Sequence, residues 1–496
     1  MDTHMPNLCV APAHRFARAR RQPCAARHDA ASGSTCAVGE RASGYRWVPR
    51  ACCAIVWVLG VLFAPYGAPA SGLQVATFCC DVTPPVGGQP LIWVTPVATV
   101  EEPLLAKGII LDDGAHRYVL CAVDWCGLCN SSHRLFRQKL AAAVGTPVQC
   151  VAVQCVHQHT APYVDGDAQK LLDRTPSPPR YVDLPFLDRL TDQLAATAKE
   201  ALGRWHPVDR IGTAEVKVDR VASSRRILMP DGKLQGRMSS AKSAVLRALP
   251  EGFIDPMLRT VTLASGDKPL VRLHYYATHP QSFYGDSRAS SDVPGFARQR
   301  LEKKEGVFQI YFTGCSGDVA MGKYNDGTPQ ARDELTARLL AAMESASGAT
   351  RFLPVGPVAW HSLAILLPPS PDATLALARQ QLADPQQSAI PRIRAATRVA
   401  YAERTSQPLE ISLLRIGHVH ILHLPGECMI EFQRFAHEVK PREAFLAVAA
   451  YGDLGTGYIC TEKAFEEGGY EPSASHVAPR SERILKDAIA NLLRAQ

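Results

Sequence analysis

The sequence predicts an α/β protein: a single large domain of layered mixed sheets, built on strand–helix–strand units, with candidate metal ligands at the carboxyl ends of strands. Three observations carry that prediction. Strand-period and helix-period apolar patterns alternate from residue 117 towards the C-terminus. No linker sharp enough to divide residues 71–496 interrupts them. Polar residues gather where the strands stop, above all at His157-Gln158-His159, which ends the apolar run "VQCVAVQCV".

Composition agrees. Of 496 residues, 46% are hydrophobic and 20% charged, a balance that suits a packed core and excludes overall disorder. The net charge of +7 is misplaced for a nucleic-acid binder. Eight arginines against Asp2, Asp29 and Glu40 put +5 into residues 1–50, residues 51–70 carry no charge, and the rest of the chain holds +2. No nucleic-acid partner is expected.

The first 70 residues read as a leader. Arg41, Arg46 and Arg50 precede the apolar run "ACCAIVWVLGVLFA", which Pro65 ends and Ala68-Pro69-Ala70 follows as an A-x-A cleavage site. The run falls short of the ~20 apolar residues that span a bilayer. The expectation is an exported protein, periplasmic or extracellular, cut near Ala70/Ser71, with residues 1–40 an upstream extension of the start. Ten of the fifteen cysteines lie beyond residue 71, and export would allow some to pair. Cys126-Gly-Leu-Cys129 has redox spacing, but it follows a strand where small apolar residues also fit.

The elements follow in order. "RYVLCAVDW" (117–125) is a strand. "SSHRLFRQKLAAAV" (131–144) is a helix that Asn130 or Ser131 is placed to cap and Gly145 to end. "PVQCVAVQCV" (147–156) is the next strand, so the unit is parallel and right-handed. In extended backbone His157 and His159 would face the same side. "LVRLHYYA" (270–277) is a strand ending in Thr278-His279-Pro280. Asp292 is placed to cap a helix from Pro294, and "VFQIYF" (307–312) runs into the glycine-rich "TGCSGDVAMGKYNDG". "LEISLLRIGHVHILHL" is a hairpin turning near Gly417, followed by Pro425-Gly426-Glu427 and a helix from Met429. The strand "AFLAVAAY" (444–451) opens into "GDLGTGYICTEKAFEEGGYEP". Insertions are expected near 163–185, where "TPSPPRYVDLP" reads as a surface loop, and at 368–408, a peripheral excursion with one helix over 372–383.

Among the strand ends, H-x-H spacing lets His157 and His159 grip a metal, with His279 as a third imidazole and Glu427 as a carboxylate. Each also has a plain structural reading, as a hydrogen-bonded strand end or a charge at a helix start. "GCSGD" lacks the second glycine of a serine-hydrolase elbow, because Asp318 stands there, so Ser316 is a poor nucleophile. Lys323-Tyr324 does not complete a phosphate loop.

Taken together, H-x-H-x-x-P (157–162), A-T-H-P (277–280), G-D-V (317–319), P-G-E (425–427) and G-Y-I-x-T with G-Y-E (457–461, 469–471) resemble the catalytic domain of the neutral/alkaline, non-lysosomal ceramidases, across residues 75–490. The resemblance implies a catalytic domain over 71–496 and a single zinc held by His157, His279, Glu427 and Tyr458. It gives His159 and Tyr470 the assisting roles, and an arginine at Arg225, with Arg220 and Arg226 as competitors. It implies attack of metal-bound water on the amide of a ceramide-like N-acyl lipid, and transient contact with a membrane surface.

Two departures stand out. H-Q-H-T-A-P replaces the family's H-T-H-S-G-P, and Ala320 stands where the family carries a serine. The chain also ends at Gln496, which suggests a short form without the β-sandwich domain of the long enzymes. The alternatives are a zinc hydrolase of another amide or ester, a degenerate exported binding protein, and a binuclear metallohydrolase with Asp124 and Asp292 as further ligands. Substrate choice would lie in loops such as 163–185 and 228–252.

Overall fold

The computed structural model describes residues 72–404 and 406–494, so the leader and its expected cleavage near Ala70/Ser71 lie outside the described residues. Three mixed sheets carry the architecture. Sheet one holds β1 (Gln74–Asp81), β2 (Leu105–Asp112), β3 (Arg117–Val123) and β4 (Val151–Cys155) in the order β4-β3-β2-β1, with His206–Pro207 at the far edge. Its strands are antiparallel except β3 and β4, which run parallel around helix α1 (Asn130–Val144). Both faces are buried, which explains the near-continuous apolar runs. Val119, Cys121 and Val123 enter one core, while Leu120 and Ala122 enter the other.

After helices α2 (Gly166–Leu172) and α3 (Leu184–Ala201), the chain builds sheet two. It contains β5 (Arg210–Lys217), β6 (Met257–Ser265), β7 (Lys268–Tyr276) and β8 (Phe308–Thr313), then edge strand β9 (Arg351–Pro354) beside β5. Strands β7 and β8 are its parallel pair, joined through α4 (Asp292–Glu305), with α5 (Pro329–Ala349) following. Sheet three starts at β10 (Val358–Ile365) and resumes after helices α6 (Asp372–Ala383) and α7 (Ala389–Glu403) with β11 (Leu409–Ile416) and β12 (Val419–His423). Gly417, at φ 58°, makes the expected turn between them. Helix α8 (Ile430–Val439) then leads to β13 (Phe445–Ala449), parallel to β12, and α9 (Ser481–Arg494) closes the described chain.

Each sheet thus contains one parallel strand–helix–strand pair, and the three pairs meet at their carboxyl ends. Cys155 N–H donates to the Tyr451 carbonyl (2.8 Å), Ala450 N–H to Thr313 (2.9 Å), and the Thr313 hydroxyl to Val156 (2.7 Å). These bonds link sheet one to three, three to two, and two to one. The Gln154 amide adds bonds to the Leu424, Ala449 and Ala450 carbonyls.

Four local expectations need correction. Strand β4 begins at Val151 and ends at Cys155, and His157 takes a left-handed φ of 74°, so His157 and His159 lie on a loop and strand alternation does not align them. Neither Asn130 nor Ser131 caps α1 with its own side chain. Their N–H groups donate to Asp453 and Asp167 instead. Asp292 begins α4 itself, its carboxylate taken by Ser282 and by the Val293 N–H. Finally, 368–408 is not peripheral, because α7 packs against both α6 and α2 and puts Ile393, Ala396 and Ala400 into the core. The loop at 175–185 is likewise anchored at its end, where Tyr181 and Val182 are buried.

Among the described residues no helix is long and apolar enough to cross a membrane, and all ten cysteines are free thiols.

Candidate metal centre and pocket

The junction of the three sheets positions the site. His157 follows β4 of sheet one, His279 follows β7 of sheet two, and Glu427 follows β12 of sheet three. All three are buried. Their ligand atoms converge: His157 Nε2 lies 3.1 Å from His279 Nε2 and 3.2 Å from Glu427 Oε2, and His279 Nε2 lies 3.1 Å from the same oxygen.

The other ring nitrogens explain the orientation. His157 Nδ1 donates to the Cys126 carbonyl (2.6 Å) and His279 Nδ1 to the Ser316 carbonyl (2.6 Å). With the proton on Nδ1, each Nε2 presents a lone pair. Two imidazole lone pairs and a carboxylate oxygen at such distances repel unless a cation sits among them, so the donor set fits a metal ion. A second grouping, Cys126, His157 and His159, shares His157. There the contact to Cys126 Sγ runs through Nδ1 at 3.9 Å, the nitrogen already committed to the Cys126 carbonyl, so the first grouping is the better site.

Electrostatics agree with a neutral His279 and an ionised Glu427. Burial pushes His279 down to about 4. Burial would raise the Glu427 carboxyl, but His157 and His279 outweigh it and hold it well below the usual carboxylate range.

Tyr458, on a two-residue strand parallel to Glu427–Cys428, brings its hydroxyl to 3.4 Å from His279 Nε2. Arg225 Nη1 donates to that hydroxyl (3.1 Å) and to the Gly317 carbonyl (3.3 Å), while its Nε faces Glu471 Oε1 at 3.3 Å. Burial pushes the Tyr458 phenol up and Arg225 opposes it. Among the competing arginines, Arg226 is engaged by Glu467 and Glu471, and Arg220 lies over the Tyr324 ring, so Arg225 is the one in the site.

His159 stands edge-on to His157, ring centres 5.0 Å apart, and both its buried ring nitrogens lack a hydrogen-bond partner. Burial first, and then the neighbouring His157 and His279, push its ring well below its ordinary value. Tyr470 packs edge-on to Tyr458 at 5.7 Å and under the Arg225 guanidinium at 5.2 Å.

Several participants were not singled out from sequence. Tyr451 stacks on the His157 ring at 4.3 Å and bonds the Ser316 hydroxyl (2.7 Å). Glu471, the acid of G-Y-E, faces Arg225 and Arg226. Cys126 acts through its carbonyl, which no side-chain motif marks. Ser316 is fully buried with its hydroxyl committed to Tyr451, in keeping with its weak elbow. The binuclear option loses its extra ligands. Asp124 is held bidentately by Arg298 (2.8 and 2.7 Å), and Asp292 is bound to Ser282.

Beside these residues lies a cavity of about 330 Å³. His157, His159, Glu427, Tyr458 and Tyr470 form its floor. Ile92 and Trp93, with Leu377, Ala378, Arg394 and Arg398 of helices α6 and α7, form its wall.

No family profile and no curated protein matches the chain. Solved structures do. The neutral ceramidase from Pseudomonas aeruginosa is similar at a TM-score of 0.63 and 15% identity, over 85% of this chain and 74% of that one. A ceramidase complexed with C2 is similar at 0.64 and 12%, over 85% and 75%. The likeness is one of fold: this chain has a neutral ceramidase-like fold.

Proposed function

We propose that a protein with this fold and this ligand set is a zinc-dependent amidohydrolase, cleaving the amide bond of a ceramide-like N-acyl lipid. One observation carries the reading: His157 Nε2, His279 Nε2 and Glu427 Oε2 converge within 3.2 Å, and His157 and Glu427 line a cavity whose wall includes the apolar side chains of Ile92, Trp93, Leu377 and Ala378. Two imidazoles and a carboxylate are a donor set that suits zinc and leaves room for a further oxygen, with Tyr458 as the fourth protein ligand. When bound, such a metal polarises the amide carbonyl and lowers the pKa of water.

The chain's own residues do the rest. Arg225 hydrogen-bonds the Tyr458 oxygen and is itself held by Glu471, which favours the phenolate. His159, neutral and without a partner, takes a proton from water and returns one to the leaving amine. The Tyr470 hydroxyl donates to the carbonyl oxygen as negative charge develops there. The apolar part of the wall, Ile92, Trp93, Leu377 and Ala378, holds the acyl chain. Export belongs to the same proposal and is supported by the arginine-flanked apolar run before Ala68-Pro69-Ala70.

The test is metal analysis of purified protein together with hydrolysis of N-acyl lipids and other amides. A single equivalent of zinc, with amide cleavage that a chelator abolishes, is expected. Protein that holds zinc yet cleaves no amide or ester would replace this reading with that of a binding protein.

A further inference from the structure

The pocket wall carries two arginines that the proposed chemistry does not use. Arg394 and Arg398 stand four residues apart on α7 (Ala389–Glu403), on one face of the helix, and both line the cavity that the candidate metal ligands floor. Other arginines near the site are matched by acids: Arg225 by Glu471, Arg226 by Glu467 and Glu471, Arg404 by Asp453. Among the described residues, no carboxylate pairs with Arg394 or Arg398. Arg398 donates only to neutral oxygens, the Ser370 hydroxyl (2.9 Å) and the Ser475 and Ser473 carbonyls (2.7 Å each). Burial lowers it from its usual value with no acid in opposition. The carboxylate lining the cavity is Glu427, on its floor, where its Oε2 faces the Nε2 atoms of both site histidines.

Arg394 is built into place. Its guanidinium lies 4.4 Å from the Trp93 ring centre, and Trp93 in turn stacks on Tyr163 at 6.3 Å. Trp93 and Val94 both adopt left-handed backbone, at φ 58° and 55°. Two adjacent non-glycine residues in that region are costly and persist only where the surroundings demand it. A stacked guanidinium keeps its N–H edge free, which is the geometry for binding an oxyanion. The cavity, at about 330 Å³, also sits at the small end of the ~300–1,000 Å³ of ligand pockets. One acyl chain suits it better than the two chains of a ceramide.

From this wall we infer that the substrate is a single-chain N-acyl amide whose amine portion carries a carboxylate or phosphate, and that Arg394, steadied by Trp93 and backed by Arg398, binds that anion. The inference rests on the amidohydrolase reading and narrows its substrate. Ile92, Leu377 and Ala378 are the apolar lining that would take the acyl chain, and the proposal assigns the anion to the amine portion.

Three amides of equal chain length test it on the zinc-loaded protein: N-dodecanoylglycine, N-dodecanoyl-phosphoethanolamine and the neutral N-dodecanoylethanolamine. At least one anionic amide should be preferred in kcat/KM by on the order of tenfold or more, and which one distinguishes carboxylate from phosphate. Arg394→Gln should reduce that preference by a similar factor, mainly through KM, and Arg394→Lys should restore much of it. Arg394 is exposed, so the variants should fold, and their melting temperatures check this. Equal or better hydrolysis of the neutral amide, with a ratio that Arg394→Gln leaves unchanged, overturns the anion assignment alone. Hydrolysis of none of the three while a two-chain ceramide is cleaved overturns this inference alone, and a protein that cleaves neither the three amides nor the ceramide overturns the amidohydrolase reading with it.

Discussion

The floor of the pocket and its helical wall are held in different ways. On the floor, each candidate ligand follows a strand of a parallel pair, and backbone hydrogen bonds tie the three pairs together at their ends. Even the imidazoles are aimed by backbone carbonyls, those of Cys126 and Ser316. The wall, α6 and α7, lies outside all three sheets. It reaches the rest of the molecule through side chains: Arg404 to Asp453 and Asn130, Arg398 to the 473–475 turn, Arg392 to the 175–177 loop. Backbone-built geometry tolerates little change, whereas a wall docked by side chains can be altered one residue at a time. With the proposed chemistry on the floor and the proposed recognition on the wall, substrate choice could change while the candidate metal ligands stay in place.

The comparison can be broken at the floor first. His157→Ala should lose zinc and activity together, and the activity loss should exceed the ~10²–10³-fold typical of a single transition-state donor. Metal content and turnover measured on the same sample decide it. If the variant keeps its zinc, His157 is not a ligand.

The hinge between the two regions comes next. Arg404→Met leaves Asp453 buried and unpaired, and removing one partner of such a pair costs about 3–5 kcal/mol. Denaturant unfolding should report that loss while zinc occupancy in the folded protein is unchanged. An unfolding midpoint within error of the parent's would show that the wall does not depend on this clamp.

His159→Ala and Tyr470→Phe sharpen the division within the floor. Both should retain metal and lose on the order of 10²–10³ in kcat. If His159→Ala strips zinc as fully as His157→Ala, His159 is a ligand and the assignment of roles fails. Ser316→Ala should cost far less, about 1 kcal/mol of stability for the lost bond to Tyr451, with most activity kept. A hundredfold loss of activity there, with zinc and fold intact, would argue for covalent catalysis.

The smallest effect is a pH dependence of the clamp. Burial would raise the Asp453 carboxyl, but Arg404 and His133 outweigh it and hold it below its usual value. A lowered folded-state pKa contributes stability above the unfolded value of about 3.9, and that stability is lost as pH falls through the folded one. The stability gap between parent and Arg404→Met should therefore narrow on acidification below the usual carboxylate range. A gap that stays constant would assign the clamp to packing instead of charge.

Much of the floor was legible before any fold was known. Strand and helix periods are written in neighbouring residues, so the parallel unit over 117–156, the hairpin at Gly417 and the polar strand ends could be read from local pattern. The motifs ending those strands held His157, His159, His279 and Glu427, the family resemblance added Tyr458 and placed Arg225 among three candidates, and the structure brings these side chains together. What local pattern misjudged depends on partners far away in the chain. The first N–H of helix α1 donates to the Asp453 carboxylate, 323 residues on, so no neighbouring residue marks the cap. His157 abandons strand geometry because its ring must meet donors from two other sheets. Arg225 differs from Arg220 and Arg226 only in facing Tyr458 and Glu471. Helix α7, with arginines interleaved among its apolar positions, reads as surface until α2 covers one side and the pocket opens on the other. The sequence by itself determined which segments are strands and helices and which residue types stand at their ends, because both are set by neighbours along the chain. Only the tertiary structure decided which of those ends share a site and what walls it, because that depends on which sheets meet.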